Sequence, residues 1–451
     1  MRWTKGSDLI SMKSRTCSTH EIEAGSNFTF YSMRNFLFIF LLLSIFSSGC
    51  ASSKQIGAVK IAVISDPHFL DMQLTSDGEA LSTYEEVTGR NINDLHSVLD
   101  KVLADLLDES PDLLLVTGDL TNHGEKQSHL GFIGKLRTLQ DNGTRILVVP
   151  GNHDINIPDA KAYRGDKASP TESISKKEFE ELYASFGYSD ALKRDDSSLS
   201  YLSQITDSVW LLCFDTNRYE EHRTSSITGG RILPQTMNWA LDILHEAKEK
   251  GVTVLGMMHH GVVEHLLYQA TFFPQYLIDN WEKNADLLAD AGLKVVFTGH
   301  FHANDITRRT SSAGNAIYDV ETASLAHYPF AYRIMMLGDN KLSIDSRFVT
   351  SIPGKSDLTT IYKDKLESMT RQVTERRLKE LEIPMSPEAF KAFTDVIVKL
   401  HLMHVKGDER PYPAMKLAIR LFADQMGSEF DLRSVEFDFP PEDNRLVIPL
   451  R

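Results

Sequence analysis

The chain of 451 residues carries 42% hydrophobic and 24% charged residues, the balance of a soluble globular protein long enough for one large domain with an appendage, or for two domains. A formal net charge of −14 argues against charge-driven binding of nucleic acid, whose phosphates need Lys and Arg patches, so no nucleic-acid partner is expected. Three cysteines, Cys17, Cys50 and Cys213, are too few for a disulfide framework, and Cys213 within VWLLCFD reads as a small core residue.

Residues 1–32 are polar and without pattern, an extension that makes Met33 an alternative start. From Met33 the chain reads MRNFLFIFLLLSIFSSGC, one positive charge followed by an apolar run from Phe36 to Phe46 that is short for a membrane span and suits a signal peptide. The SSGC that closes it resembles a bacterial lipoprotein cleavage box, with Ser47 departing from the usual leucine. That resemblance makes 33–50 a lipoprotein-type signal and Cys50 the lipidated residue that ties the protein to a membrane; an uncleaved anchor is the alternative. Residues 51–58 then form a tether.

Strand-like and helical patterns alternate from Val59 onward. VKIAVIS reads as a strand; a polar loop leads to the helical NDLHSVLDKVLADLLDES, then to the strand DLLLVTG. EKQSHLGFIGKLRTLQDNG reads as a helix closed by Asn142-Gly143, and RILVVPG as the next strand. Continuous Val/Ile/Leu runs separated by helices indicate parallel strands covered on both faces. A polar insertion from Ile155 to about Ser198 contains a helix over SISKKEFEELYASFGY, with Ser173 as its expected cap. LSYLSQ and SVWLLCFDT suggest a hairpin, LPQTMNWALDILHEAKEK a helix with Pro234 near its start, and VTVLGMM and LKVVFTG two more strands. NAIYDVETAS, AYRIMMLG and KLSIDSRFV look like closing strands. Composition shifts near Pro353, so 59–350 is read as the catalytic unit and 351–451 as a mainly helical C-terminal region of three amphipathic helices, one capped by Ser386-Pro387-Glu388.

Five of the strand-like runs end in groups that bind metals. IAVIS leads to Asp66-Pro67-His68, LLLVTG to Asp119, ILVVPG to Asn152-His153-Asp154, VTVLGMM to His259-His260, and VVFTG to His300-Phe301-His302. In an open α/β sheet such carboxyl ends face one crevice, where these folds place ligands. Each motif alone is ordinary: an aspartate-capped turn, an interior histidine, a surface pair. Together they make a shared site. Carboxylates, an amide and imidazoles without a thiolate suit borderline or hard divalent ions such as Mn, Fe or Zn. Asp119 is placed to bridge two ions ~3.5–4 Å apart, the separation that clamps both oxygens of a phosphoryl transfer.

The order Asp-x-His, Gly-Asp, Gly-Asn-His-Asp, His, Gly-His-x-His resembles that of the calcineurin-like metallophosphoesterases, over roughly Val59 to Val349. The resemblance implies an α/β fold, a four-layer α/β/β/α sandwich, followed here by the C-terminal helical appendage. It implies that Asp66, His68, Asp119 and His302 hold one metal while Asp119, Asn152, His259 and His300 hold the other. His153 would contact the phosphate and protonate the leaving oxygen, with Asp154 orienting its ring, and a hydroxide bridging the two ions would attack phosphorus in line. Neighbours in a strand point to opposite faces, so one of His259 and His260 is expected to reach the metals. The resemblance favours His259, leaving His260 beside it.

Departures narrow the expectation. Asn122 stands where purple acid phosphatases have a metal-binding tyrosine, and GDLTNHGE lacks the Asp-Arg-Gly of protein Ser/Thr phosphatases. The pattern is most similar to the class that includes bacterial cyclic-nucleotide phosphodiesterases. Asn122, His123, Glu125, His265, Glu321, His327 and Tyr328 are weaker candidates around the site, and Tyr163, Arg164 and Lys167 mark the insertion as either a lid or a surface excursion. The expected protein is a membrane-anchored, extracytoplasmic lipoprotein of the bacterial envelope that hydrolyses a small phosphate ester. Two alternatives stand beside it: a cytoplasmic cyclic-nucleotide phosphodiesterase, and a metal-containing binding protein without catalysis. The sequence assigns no oligomeric state.

Overall fold

A computed structural model describes residues 58–266, 269–380, 385–426 and 442–450. The signal-like run 33–50, including Cys50, lies outside the described residues, as does nearly all of the tether. Among the described residues no helix is long and apolar enough to cross a membrane.

The strands are β1 (Val59–Ile64), β2 (Leu113–Val116), β3 (Arg145–Val148), β4 (Lys161–Arg164), β5 (Lys167–Pro170), β6 (Lys193–Arg194), β7 (Tyr201–Thr206), β8 (Val209–Cys213), β9 (Thr253–Met257), β10 (Val295–Thr298), β11 (Ile306–Thr310), β12 (Ala316–Glu321), β13 (Ala331–Gly338), β14 (Lys341–Phe348) and β15 (Arg445–Pro449). They form a six-stranded sheet, β15-β14-β13-β1-β2-β3, and a seven-stranded sheet, β11-β12-β10-β9-β8-β7-β6, with β4 and β5 as a separate hairpin. The parallel runs β1-β2-β3 and β8-β9-β10-β12 lie in different sheets. The five motif-bearing strands are therefore divided between two sheets rather than gathered in one open sheet, and the crevice lies where the carboxyl ends of the two sheets meet.

Alternation along the second sheet builds the layers. Leu211 and Cys213, Leu255 and Met257, and Val295 and Phe297 enter the core shared with Val63, Leu114 and Val148 of the first sheet. Their neighbours Trp210, Leu212, Val254 and Val296 point the other way. There they meet α5 (Pro234–Lys250) and α6 (Trp281–Ala291), named after α1 (Glu79–Thr88), α2 (Ile92–Glu109), α3 (Lys126–Asp141) and α4 (Lys176–Leu182). On the first sheet α2 packs Leu95, Val98, Leu99, Val102, Leu103 and Leu106, the i, i+3, i+4 stripe of an amphipathic helix. Asn91 caps it by accepting from the Asp94 N–H at 3.1 Å, and Ser110 ends it in the left-handed region at φ 49°. The result is the α/β/β/α sandwich.

Two local expectations change. The polar loop after β1 contains α1, whose Tyr84 ring packs on Tyr163 of the β4-β5 hairpin with centroids 4.5 Å apart. Ser175 rather than Ser173 caps α4, in a capping box with Glu178. The Ser173 hydroxyl instead accepts from the Ile157 N–H at 3.0 Å, holding the insertion to itself.

The C-terminal region packs onto the sandwich. Its helices are α7 (Leu358–Glu380), α8 (Pro387–His404) and α9 (Pro413–Met426). Leu358, Tyr362, Val398, Leu402 and Val405 join the main core, while Val396, Met415 and Ile419 form a small cluster of their own. Lys355 pairs with Asp94 of α2 at 2.5 Å, and the Tyr362 hydroxyl donates to the same carboxylate at 2.9 Å. The region then returns as β15, antiparallel to β14 on the first sheet.

Candidate metal centre

The strand ends converge through sharply turned backbone. Asp66, His68, Asp119, His300 and His302 all take positive φ, between 42° and 74°. For residues with a Cβ this conformation costs roughly 1–3 kcal/mol each, and it persists only where the surroundings impose it. Gly118, at φ 103°, makes one approach feasible, because a Cβ there would overlap the His259 ring.

Two groups of ligating atoms result. Asp66, His68, Asp119 and His302 form one, and Asp119, His259 and His300 the other, with the atoms of each group within 4.8 Å of one another. His68 Nε2 lies 3.3 Å from His302 Nε2 and 3.6 Å from Asp119 Oδ2; His302 Nε2 is 3.3 Å from Asp66 Oδ1. On the other side His259 Nε2 stands 3.4 Å from Asp119 Oδ1 and 3.2 Å from the Asn152 side-chain oxygen. Asp119 thus turns one oxygen to each group.

These residues fit divalent cations by their leftover valence. Asp66 Oδ1 and His300 Nδ1 are buried acceptors without a hydrogen-bond partner. His259 donates from Nδ1 to the Thr117 carbonyl at 2.9 Å, and His300 donates from Nε2 to the Gln275 carbonyl at 3.2 Å. Each bond fixes the tautomer and leaves the other ring nitrogen as a lone-pair donor toward the site. Electrostatics agree. Burial alone would raise the Asp119 carboxyl, but His259 and His153 hold it well below its ordinary range. His259, against the cost of burial, is pushed up to about 9 by Asp119 and Asp66. The carboxylates draw positive charge onto the His259 ring, charge that a bound cation would supply in its place.

His260 faces elsewhere. Its Nδ1 is 2.8 Å from the Thr216 hydroxyl and its Nε2 donates to the Thr228 carbonyl at 2.9 Å, so both nitrogens are engaged away from Asp119.

His153 is half-buried, its ring centroid 5.1 Å from that of His68 in an edge-on contact. Its Nδ1 pairs with His123 Nδ1 at 3.3 Å. The expected role of Asp154, orienting that ring, is not the one its carboxylate plays. Its oxygens accept from the backbone N–H groups of Gly151 (2.7 Å), Leu120 (3.1 Å) and Thr121 (2.9 Å), and from the Thr121 hydroxyl (2.9 Å). The reason is steric: a residue directly after His153 turns back beneath the loop of Asp119, where unpaired N–H groups await a buried acceptor.

The weaker candidates divide. Asn122 accepts from the Tyr84 hydroxyl at 2.6 Å and from Arg90 at 3.4 Å, and donates to Glu125 at 3.2 Å. Glu125 also accepts from the His123 N–H at 3.0 Å. The His327 ring lies against His302 with centroids 5.1 Å apart, its Nδ1 unpartnered. Glu321 and His265 sit in a different buried group, 3.6 Å from each other. Tyr163 is buried in the small core with Tyr84, and Arg164 donates to the Gln73 carbonyl, so the insertion is fastened over α1. One residue escaped sequence reasoning: Arg90, just past the left-handed Gly89 that closes α1. Burial first, then the Arg90 charge, hold His68 and His327 well below the ordinary imidazole range, and with His153 it contributes to bringing His123 down to about 3. Its Nε is buried without a partner. The cue available was a C-capping glycine followed by an arginine, weak without knowing that α1 exists.

Among curated proteins none matches significantly in sequence. Three solved structures are similar in fold. A dimetal phosphatase from Danio rerio shares 14% identity at a TM-score of 0.46, over 64% of this chain and 96% of that one. A putative 5'-nucleotidase from Staphylococcus aureus shares 14% identity at 0.36, over 69% of this chain and 59% of that one. A purple acid phosphatase from yellow lupin seeds shares 10% at 0.34, over 64% of this chain and 51% of that one. The sequence model of calcineurin-like phosphoesterases matches residues 59–304, more than half of the chain and the span that holds every strand-end group described above, and the chain belongs to that family.

Proposed function

We propose that the chain is a two-metal hydrolase of small phosphate esters, with phosphodiesters favoured over monoesters. The observation that carries this reading is the shared carboxylate: Asp119 belongs to both ligand groups. Asp66, His68, Asp119 and His302 would hold one ion, and Asp119, Asn152, His259 and His300 the other. Two such ions, Mn, Fe or Zn, supply Lewis acidity and charge neutralisation at the phosphoryl group and lower the pKa of water. The chain's own side chains do the rest. His153, beside His68 and only half-buried, is the group placed to deliver a proton to the leaving oxygen. His123 holds its Nδ1, and Arg90 adds a fixed positive charge on the same side for a phosphate oxygen. Asp154 keeps the loops of Asp119 and His153 in register through the backbone, a positioning role.

The diester preference rests on the motif pattern, which is most similar to the class with bacterial cyclic-nucleotide phosphodiesterases, and on Asn122 in place of a tyrosine. We propose further that a lipidated Cys50 holds the enzyme on the outer side of a bacterial membrane, supported by the apolar run 36–46 and the SSGC that follows. There its substrates would be nucleotides, glycerophosphodiesters or envelope phosphates; a cytoplasmic location would instead favour cyclic nucleotides.

The test strips metal from the full chain, reloads it with Mn(II), and compares a chromogenic phosphodiester with the matching monoester. Metal-dependent turnover that falls ~10²–10⁴-fold in His153→Ala is expected. Filled metal sites without turnover of either ester would move the reading to a metal-containing binding protein.

A further inference from the structure

We propose a third metal site, separate from the strand-end centre, in which Asp305, His404 and Glu409 bind a divalent cation of the zinc and manganese class and lock the C-terminal helices onto the catalytic sandwich.

The three residues come from distant parts of the chain. Asp305 immediately precedes β11, His404 is the last residue of α8, and Glu409 lies in the turn that follows it. All are buried, and one ligating atom of each lies within 4.8 Å of the others. His404 Nδ1 stands 2.6 Å from Glu409 Oε1 and 3.8 Å from Asp305 Oδ1. Ligand atoms sharing one ion at ~2.0–2.2 Å stand about 3–3.5 Å apart, and the two observed distances bracket that range. One imidazole and two carboxylates form a donor set suited to zinc, manganese or ferrous iron.

A second observation points to a cation at this site. Glu409 Oε2 is buried without a hydrogen-bond partner. A buried carboxylate oxygen with no donor is costly unless an ion takes its place. The other atoms are already arranged as a supporting shell. Asp305 Oδ2 is held by His265 Nδ1 at 2.6 Å, a hydrogen bond of the kind that fixes metal-binding carboxylates. Five buried carboxylates, Asp305, Asp319, Glu321, Glu409 and Asp443, face one guanidinium, Arg333, and two imidazoles, His265 and His404. Burial and this crowding push Glu321 up to about 8 and Asp443 up to about 10.

The site would join the two regions at a point that matters to catalysis. The ring of His404 packs edge-on against Phe301 with centroids 5.5 Å apart, and Phe301 lies between His300 and His302. Gly407, at φ 82°, brings the turn so close to the Asn304 carbonyl that a Cβ would overlap it. Asp443 bridges the same two segments, accepting from the Ile306 N–H at 2.9 Å and the Asp408 N–H at 2.7 Å. An ion on Asp305, His404 and Glu409 would therefore brace the loop that presents His300 and His302.

The test counts zinc on the full chain. Metal-stripped protein is loaded with Zn(II), freed of excess, and analysed for bound metal as the unaltered chain, as Glu409→Gln and as Asp119→Asn. The expected result is that Glu409→Gln loses about one zinc while keeping the remainder, and that Asp119→Asn still binds the ion that Glu409→Gln loses. Equal zinc in Glu409→Gln and the unaltered chain overturns the proposal. Should that variant fail to fold, zinc-edge anomalous scattering from crystals of the unaltered chain decides. A peak bonded to His404 Nδ1 and Glu409 Oε1 supports the site, and none there with the strand-end ligands occupied overturns it. Because Asp119→Asn disables only the strand-end centre, failure of the proposed phosphoesterase reading leaves this result interpretable.

Discussion

Among the described residues, two buried clusters of ionisable side chains are assembled in different ways. At the strand ends, seven side chains come from five strands of two sheets, and five of them sit in left-handed backbone that the sandwich holds in place. In the second cluster, Asp305, His404 and Glu409 come from one loop and one helix end, and they meet only because α8 docks on the sandwich. The first site is built into the frame; the second exists only once two regions have joined. A centre of the first kind tolerates loss of distant contacts and is sensitive to its own turns. A centre of the second kind reports on docking.

This contrast is sharpest at Asp119, which serves both strand-end groups. Asp119→Asn is expected to reduce turnover at least as much as the ~10²–10⁴-fold expected for the general acid, with bound metal reduced but the unfolding midpoint little changed. A variant that kept most of its activity would break the idea that one carboxylate serves two ions. Asp154→Ala tests whether the frame holds the site. It removes the acceptor of three buried backbone N–H groups, and a loss of ~3 kcal/mol or more in denaturant unfolding is expected. A drop in turnover with unchanged stability would instead return Asp154 to a role on the His153 ring. Gly407→Ala addresses the second cluster. Its positive φ and the contact with Asn304 predict a loss of ~1–3 kcal/mol and weaker zinc binding by the Glu409 site. Equal weakening at both centres would show that the two are not separable.

The same contrast explains what was legible in the sequence. Asp66, His68, Asp119, Asn152, His153, His259, His300 and His302 stood out because each follows an apolar strand run, and strand ends converge in layered α/β folds. Which strands share a sheet was not legible, since β1 to β3 and β8 to β10 have the same apolar character. Strand alternation could not separate His259 from His260, because both lie beyond the end of β9; hydrogen bonds to two different backbone carbonyls, of Thr117 and Thr228, set their rings apart. Ser175-x-x-Glu178 was a capping box in plain view, passed over for Ser173. Arg90 was hidden because α1 has a weak stripe, only Ala80 and Tyr84 being buried along it. Asp305, His404 and Glu409 had no signal at all: no local period links a loop to a helix end a hundred residues later.

β15 carries a consequence for how this protein is cut. The family match ends at residue 304 and the strand-end ligands at His302, so a shortened version ending near Val349 would keep every group the chemistry requires. It would also strip β15 from β14, freeing the outward-facing amides and carbonyls of the five residues Lys341–Asp345 along the rim of the first sheet. Such a rim templates strand addition by neighbouring molecules. β15 is thus a short edge, five residues ending in a proline, laid over the longer β14, and a trimmed enzyme is expected to aggregate more readily than the full chain, which light scattering of the two lengths would check.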